Sequence, residues 1–161
     1  MEIPFVPPAL ENELDRIARK QNPRVQNWWG YSGSSANVRR YRCYLCRDIM
    51  DTDSGKWRPT KHAERSVAEH ALSHLSELNK RVQVRSARQV LRVEGFAACA
   101  DFLAWLNPAA SAAFLRGLPA AKQIELVAEL LRQELALPCS IHELDPATQV
   151  EIDQHLEKTM T

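Results

Sequence analysis

Glycine is scarce in this chain, with five in 161 residues. They form no loop of the kind that cradles a nucleotide phosphate, so a nucleotide-driven enzyme is not expected. Long apolar runs are missing as well. None approaches the ~18–20 residues that a membrane-spanning helix needs. The first residues, Met1-Glu-Ile-Pro-Phe-Val-Pro-Pro8, hold neither a basic stretch nor an apolar leader core, so secretion is not expected. Cysteine is limited to four, and Cys99 and Cys139 each stand alone. That usage disfavours a disulfide scaffold and suits a reducing, intracellular setting, cytoplasm or nucleus, with metal-bound or buried thiols. No Ser/His/Asp arrangement can be argued for nucleophilic catalysis. No internal repeat and no low-complexity tract stands out. What remains is an ordinary globular composition, 45% hydrophobic and 25% charged, long enough for one domain or for a small module plus a second.

The net charge of +1 hides an asymmetry. Residues 1–92 carry 17 Lys and Arg against 10 Asp and Glu, a balance of +7; residues 93–161 carry 4 against 10, a balance of −6. Eight basic residues and no acidic one lie between Arg16 and Arg47, and five and none between Lys80 and Arg92. The front of the chain has the charge of something that meets polyanions, and the back does not.

Within the basic half, Cys43, Cys46, His70 and His74 read C-x2-C-x23-H-x3-H. Two Cys separated by two residues can close a knuckle on one metal ion, and two His at i and i+4 lie one turn apart on one helix face. Two thiolates and two imidazoles make a closed tetrahedral set that suits zinc. A buried thiol pair and two surface imidazoles are the plainer reading of the same residues. The surroundings favour the metal: Tyr41 lies two before Cys43, Val67 three before His70, and Trp57 can supply a third core side chain.

Pro7-Pro8 followed by Leu10, Leu14, Ile17 and Ala18 at helical spacing predicts a helix over 8–21, ended by Asn22-Pro23. Residues 24–37, with Gly30 and Gly33, read as loop. Val38 to Tyr44 reads as a strand, Asp51 to Gly55 as a turn, Lys56 to Arg58 as a short return strand, and 61–80 as the helix carrying both His. Further helices are expected over 87–106 with a weak point at Gly95, after Asn107-Pro108, from Pro119, and after Asp145-Pro146. The expected fold is mainly α, with a small ββα zinc-finger module and a C-terminal helical bundle. The expected organisation is an N-terminal helix and basic aromatic arm (1–36), the finger (37–80) and an acidic helical bundle (81–161).

On these residues the segment 37–80 resembles a two-Cys, two-His zinc finger. Its long gap and upstream aromatics make it distantly similar to the BED subclass, whose members are often DNA-binding modules. The resemblance implies zinc as cofactor, held by Cys43, Cys46, His70 and His74. Counting back from His70 places Ala63, Arg65, Ser66 and Glu69 at the base-facing helix positions, and of these only Arg65 is a typical base reader. Contact led by backbone charge is the better expectation, through Arg39, Arg40, Arg42, Arg47 and Arg65. Trp28 and Trp29 either cover a thin core or stack on unpaired bases.

An enzyme reading rests on His62-x-Glu64 and Cys43-x2-Cys46, the two halves of a zinc-deaminase signature in reversed order. Four good ligands leave no open position for a reactant, so no catalytic residue is assigned. The expected function is non-enzymatic binding of nucleic acid, of undetermined type, with the helical part contacting partners. The alternative is a structural adaptor among the protein subunits of a larger assembly, with the finger as a folding staple or protein-binding surface.

Overall fold

The computed structural model describes residues 5–35, 38–54 and 61–160, without the side chains of 31–35, 38–40, 49–54, 61–66, 156, 159 and 160. The chain divides into two compact units, one running to Leu75 and the other starting at Ser76. Among the described residues no helix is long and apolar enough to cross a membrane.

The first unit begins with α1, Pro8–Gln21. Pro8 opens it, Glu11 lies in its first turn and Arg19 and Lys20 in its last, each matched to the helix dipole. Leu10, Leu14 and Ala18 form its buried stripe. Three strands follow, β1 (Trp29–Ser35), β2 (Val38–Cys43) and β3 (Ile49–Ser54), as an antiparallel sheet with β2 in the centre. Then comes α2, Lys61–Leu75, which packs against β3. Ala68, Ala71, Leu72 and Leu75 are its buried face. Full burial of a leucine contributes ~1.5–3 kcal/mol. With four buried leucines on α1 and α2, this core is thin, and a cross-link between sheet and helix has a large share of the stability to supply.

Two expectations change here. The segment read as loop over 24–37 contains β1, paired from Trp29↔Cys43 to Ser35↔Val38 with a bulge between Tyr31 and Gly33. Its glycines and serines hide a strand that exists because β2 is there to pair with it. The return strand starts at Ile49, straight after the knuckle, so Asp51 to Ser54 is strand where a turn was expected. Such polar residues are tolerated on an edge strand. Lys56 to Arg58, Trp57 included, lies outside the described residues. The mainly α architecture with a small finger-like module therefore holds, with one strand more than the simple hairpin.

The second unit is helical: α3 (Lys80–Glu94), α4 (Phe96–Phe102) running into a 3-10 turn (Leu103–Trp105), α5 (Pro108–Arg116), α6 (Ala120–Arg132), a second 3-10 turn (Ile141–Glu143) and α7 (Pro146–Met160). The helix expected over 61–80 ends at Leu75, and the one expected over 87–106 begins at Lys80, because the Asn79 side chain accepts from the Val82 amide and starts a new helix there. Gly95, at φ 95°, ends α3. Phe102, Phe114, Leu115, Leu126, Leu130 and Ile152 dominate the core.

This unit contains a repeat that the sequence reading missed. Buried positions 83, 86, 87 and 90 of α3 recur as 123, 126, 127 and 130 of α6. Gln83 donates to the Leu78 carbonyl (2.7 Å) and accepts from the Asn107 amide (2.7 Å). Gln123 donates to the Leu115 carbonyl (3.0 Å) and accepts from the Asp145 amide (2.9 Å). Asn107 and Asp145 each follow a buried leucine, precede a proline, and accept from the amide two residues on, at 3.0 Å in both cases. The pairs α3/α5 and α6/α7 are thus built on one plan, with α4 inserted in the first. Little besides Gln, Leu, Asx and Pro is shared, too sparse a pattern to see in the sequence.

Candidate metal centre

The knuckle between β2 and β3 is a tight turn. The Cys43 amide donates to the Asp48 carbonyl at 3.0 Å, and the Arg47 amide to the Cys43 carbonyl at 2.9 Å. Arg47 sits in the left-handed region at φ 66°, which lets the chain reverse in so few residues. The turn aims the Leu45 and Cys46 amides at the Cys43 sulfur. On α2, His70 and His74 lie at the half-buried margin of the apolar face.

The four side chains converge. The Nε2 atoms of His70 and His74 are 3.2 Å apart. Cys46 Sγ lies 3.3 Å from His70 Nε2, and Cys43 Sγ 3.5 Å from His74 Nε2. All four ligand atoms fall within 4.8 Å of one another. Bonds of ~2.0–2.1 Å to nitrogen and ~2.3 Å to sulfur around a tetrahedral zinc ion set two nitrogens ~3.3 Å apart and a nitrogen and a sulfur ~3.5 Å apart. Three edges of the cluster, His70–His74, Cys46–His70 and Cys43–His74, lie close to those lengths, and the donor set is the one zinc takes in closed structural sites. These residues can hold a metal ion, and zinc fits them.

Local electrostatics suit the same role. Burial pushes the Cys43 thiol up, but His74 and the Cys46 and Leu45 amides outweigh it, and the thiol is held below its ordinary value. Cys46 is pushed up to about 11, first by the packing around its sulfur, with Cys43 adding to the rise. A bound dication would reverse that and hold both sulfurs as thiolates. His70 is lowered by burial and then by His74, which favours the neutral imidazole, the form that ligates a metal.

A second layer supports the ligands, and sequence reasoning missed it. The Trp28 indole lies parallel to the His70 ring, centroids 6.1 Å apart and 7° between planes. Its Nε1–H donates to Glu11 at 3.2 Å, and its backbone amide to Asp15 at 2.8 Å. Arg19 donates to the Gln26 carbonyl at 3.0 Å. Glu11, Asp15 and Arg19 are spaced one turn apart on α1, so a single helix row clamps the segment that carries Trp28. The i, i+4 spacing was the available signal, but its partners are distant in sequence.

Of the expected nucleic-acid contacts, Trp28 is corrected: it is 0% exposed and presents no face to a base. Trp29 is half-buried and meets Tyr41 edge-on at 5.6 Å. Arg42 and Arg47 are exposed beside the knuckle. The side chains of Arg39, Arg40 and Arg65, and of His62 and Glu64, lie outside the described residues. Tyr41 and Val67 are buried and half-buried, as core positions of such a module require, and Glu69 is exposed. Cys99 is a buried thiol pushed up to about 12 by burial, donating to the Ala87 carbonyl. No family model, curated protein or solved structure matches this chain, so the centre is characterised by its own residues: a two-Cys, two-His cluster able to hold a metal ion.

Proposed function

We propose that this chain is a non-enzymatic, zinc-stapled protein that binds nucleic acid through its phosphate backbone. The observation that carries the reading is a closed four-ligand cluster whose knuckle bears exposed cations, Arg42 and Arg47. Four protein ligands leave no position for a reactant, which supports a structural metal. Cys43 and Cys46 would join the sheet to α2 through His70 and His74, and the metal would supply the cross-link that the thin core lacks. Arg39, Arg40 and Arg42 stand together on the central strand, a concentration of charge that suits phosphates. The likeness to BED-type fingers in the long ligand gap points the same way.

A second reading, an adaptor in a multisubunit assembly, is favoured by Glu69. This exposed carboxylate occupies a base-facing position next to His70, where it repels phosphate. It argues against sequence readout by α2 and leaves open a protein-facing finger.

The test is titration of zinc-loaded protein with single- and double-stranded DNA and RNA at several salt concentrations. Backbone binding predicts that log K falls linearly with log salt, by ~0.7–0.9 per phosphate contacted. The R39A/R40A/R42A variant should weaken binding alike across sequences and flatten that slope. A loss confined to one sequence would contradict backbone contact. No binding at low salt would leave the adaptor reading standing.

A further inference from the structure

Helix α3 carries the second basic run, and the fold gives it a definite shape. Arg81, Arg85, Arg88 and Arg92 fall at i, i+4, i+7 and i+11, a single stripe ~16 Å long at 1.5 Å per residue. All four are exposed, and none is ion-paired with another described residue. The stripe borders a groove of about 390 Å³ between α3 and the turn from α5 to α6. Leu91, Phe114 and Leu118 make the groove apolar, Arg88, Arg92 and Lys122 are its cations, and no carboxylate among the described residues lines it. A shallower trough continues from it along Val84 and Arg88 to Arg81 and Lys80.

We propose that this groove docks an acidic, amphipathic peptide segment of a partner protein. Carboxylates repeating at 3–4 residue spacing would meet the arginine stripe, while a leucine- or phenylalanine-sized side chain fills the groove. Charge complementarity selects an acidic occupant, because every charged residue lining the groove and trough, among the described residues, is cationic. The apolar lining selects peptide over nucleic acid. A phosphate backbone has no bulky apolar group to place there, and base stacking needs an open aromatic face, whereas Phe114 is 3% exposed. The volume lies near the small end of the ~300–1,000 Å³ range of ligand pockets, the size for an anchoring side chain. This docking surface does not rest on the nucleic-acid reading and uses none of its residues.

The experiment is fluorescence anisotropy on the full zinc-loaded chain with three probes: a labelled 16-residue helical peptide of glutamates with leucines on one face, the same peptide with alanine for each leucine, and a labelled single-stranded oligonucleotide of equal charge. The expected result is that the Glu/Leu peptide binds, that the Leu→Ala peptide binds at least tenfold more weakly, and that R88E/R92E loses at least tenfold for the Glu/Leu peptide. R39A/R40A/R42A should bind that peptide as the unmodified protein does. Because Arg88 and Arg92 are exposed, their replacement leaves the core intact, and unchanged circular dichroism verifies this. Peptide binding indifferent to the leucines, absent altogether, or unaffected by R88E/R92E would overturn the proposal. So would oligonucleotide binding tighter than peptide binding and lost in R88E/R92E, which would make the stripe a phosphate contact.

Discussion

Arg47 holds a left-handed backbone at φ 66°. That conformation costs a residue with a Cβ ~1–2 kcal/mol, and glycine adopts it freely while giving back ~0.5–1 kcal/mol of chain entropy. Arg47→Gly should therefore stabilise the knuckle by up to ~1 kcal/mol in urea unfolding while weakening polyanion binding, two readouts that move in opposite directions. A destabilised variant would show that the arginine side chain matters to the fold. Cys46→Ser removes a thiolate and should abolish zinc binding and loosen the module, read by metal content and limited proteolysis; full zinc occupancy would refute the ligand assignment. Glu11 makes a pH-dependent prediction. Burial raises its pKa above the ordinary value, against the opposing pull of the Trp28 hydrogen bond. A carboxyl raised on folding contributes stability that is complete below its unfolded pKa and is lost as pH rises through the folded one. Glu11→Gln keeps an acceptor for the Trp28 indole and removes that loss, so its effect on melting temperature should become more favourable as pH rises from below the ordinary carboxyl value to neutrality. An effect that becomes less favourable over that range would reverse the sign. At this scale the four ligands were legible because their spacing is the chemistry. Trp28 remained ambiguous because Glu11, Asp15 and His70 meet it only in space.

At the scale of elements, the two glutamine clamps carry the clearest test. Gln123 is 2% exposed and joins the end of α5 to the start of α7. Gln123→Leu strands the Asp145 amide and leaves the Leu115 carbonyl only its bond from the Leu118 amide, and a group left unpaired in the interior costs ~1–3 kcal/mol. A loss of ~1–3 kcal/mol is expected in thermal unfolding, and Gln83→Leu should also destabilise, through Leu78 and Asn107. A near-neutral Gln123→Leu would mean that water replaces both bonds. Helix starts were legible wherever chemistry is local: Pro8, Asn107-Pro108 and Asp145-Pro146 each open a helix where expected. Strand β1 was not, because Gly30, Gly33 and the serines have little strand preference of their own and owe their pairing to β2. The start of α3 was also missed, since Asn79 acts as a cap only where α2 has already ended at Leu75.

At the scale of the molecule, the two units differ in what holds them together. The first has a thin core and four side chains able to hold a metal ion; the second has its own core and internally bonded glutamines. Chelation of zinc should therefore unfold the first unit and leave the second folded. Far-ultraviolet circular dichroism would keep most of its helical signal, because five of the seven α-helices among the described residues lie after Ser76. A single cooperative loss of all structure on chelation would show that the units depend on one another. The mainly α character and the small metal module were legible from periodicity and ligand spacing. The shared plan of α3/α5 and α6/α7 was not, since it is written in buried positions and main-chain bonds.

The indole stacked on His70 has one more consequence. Among the described residues, Trp28 is the one tryptophan that is fully buried and in ring contact with a candidate ligand, so its fluorescence is a built-in gauge of what the cluster holds. Zinc, with a filled d shell, should leave that emission bright and shift it as the site tightens. Cobalt(II), whose open d shell offers the excited ring a route for energy transfer, should darken it. Metal exchange in this chain can then be followed by light alone, with no dye attached.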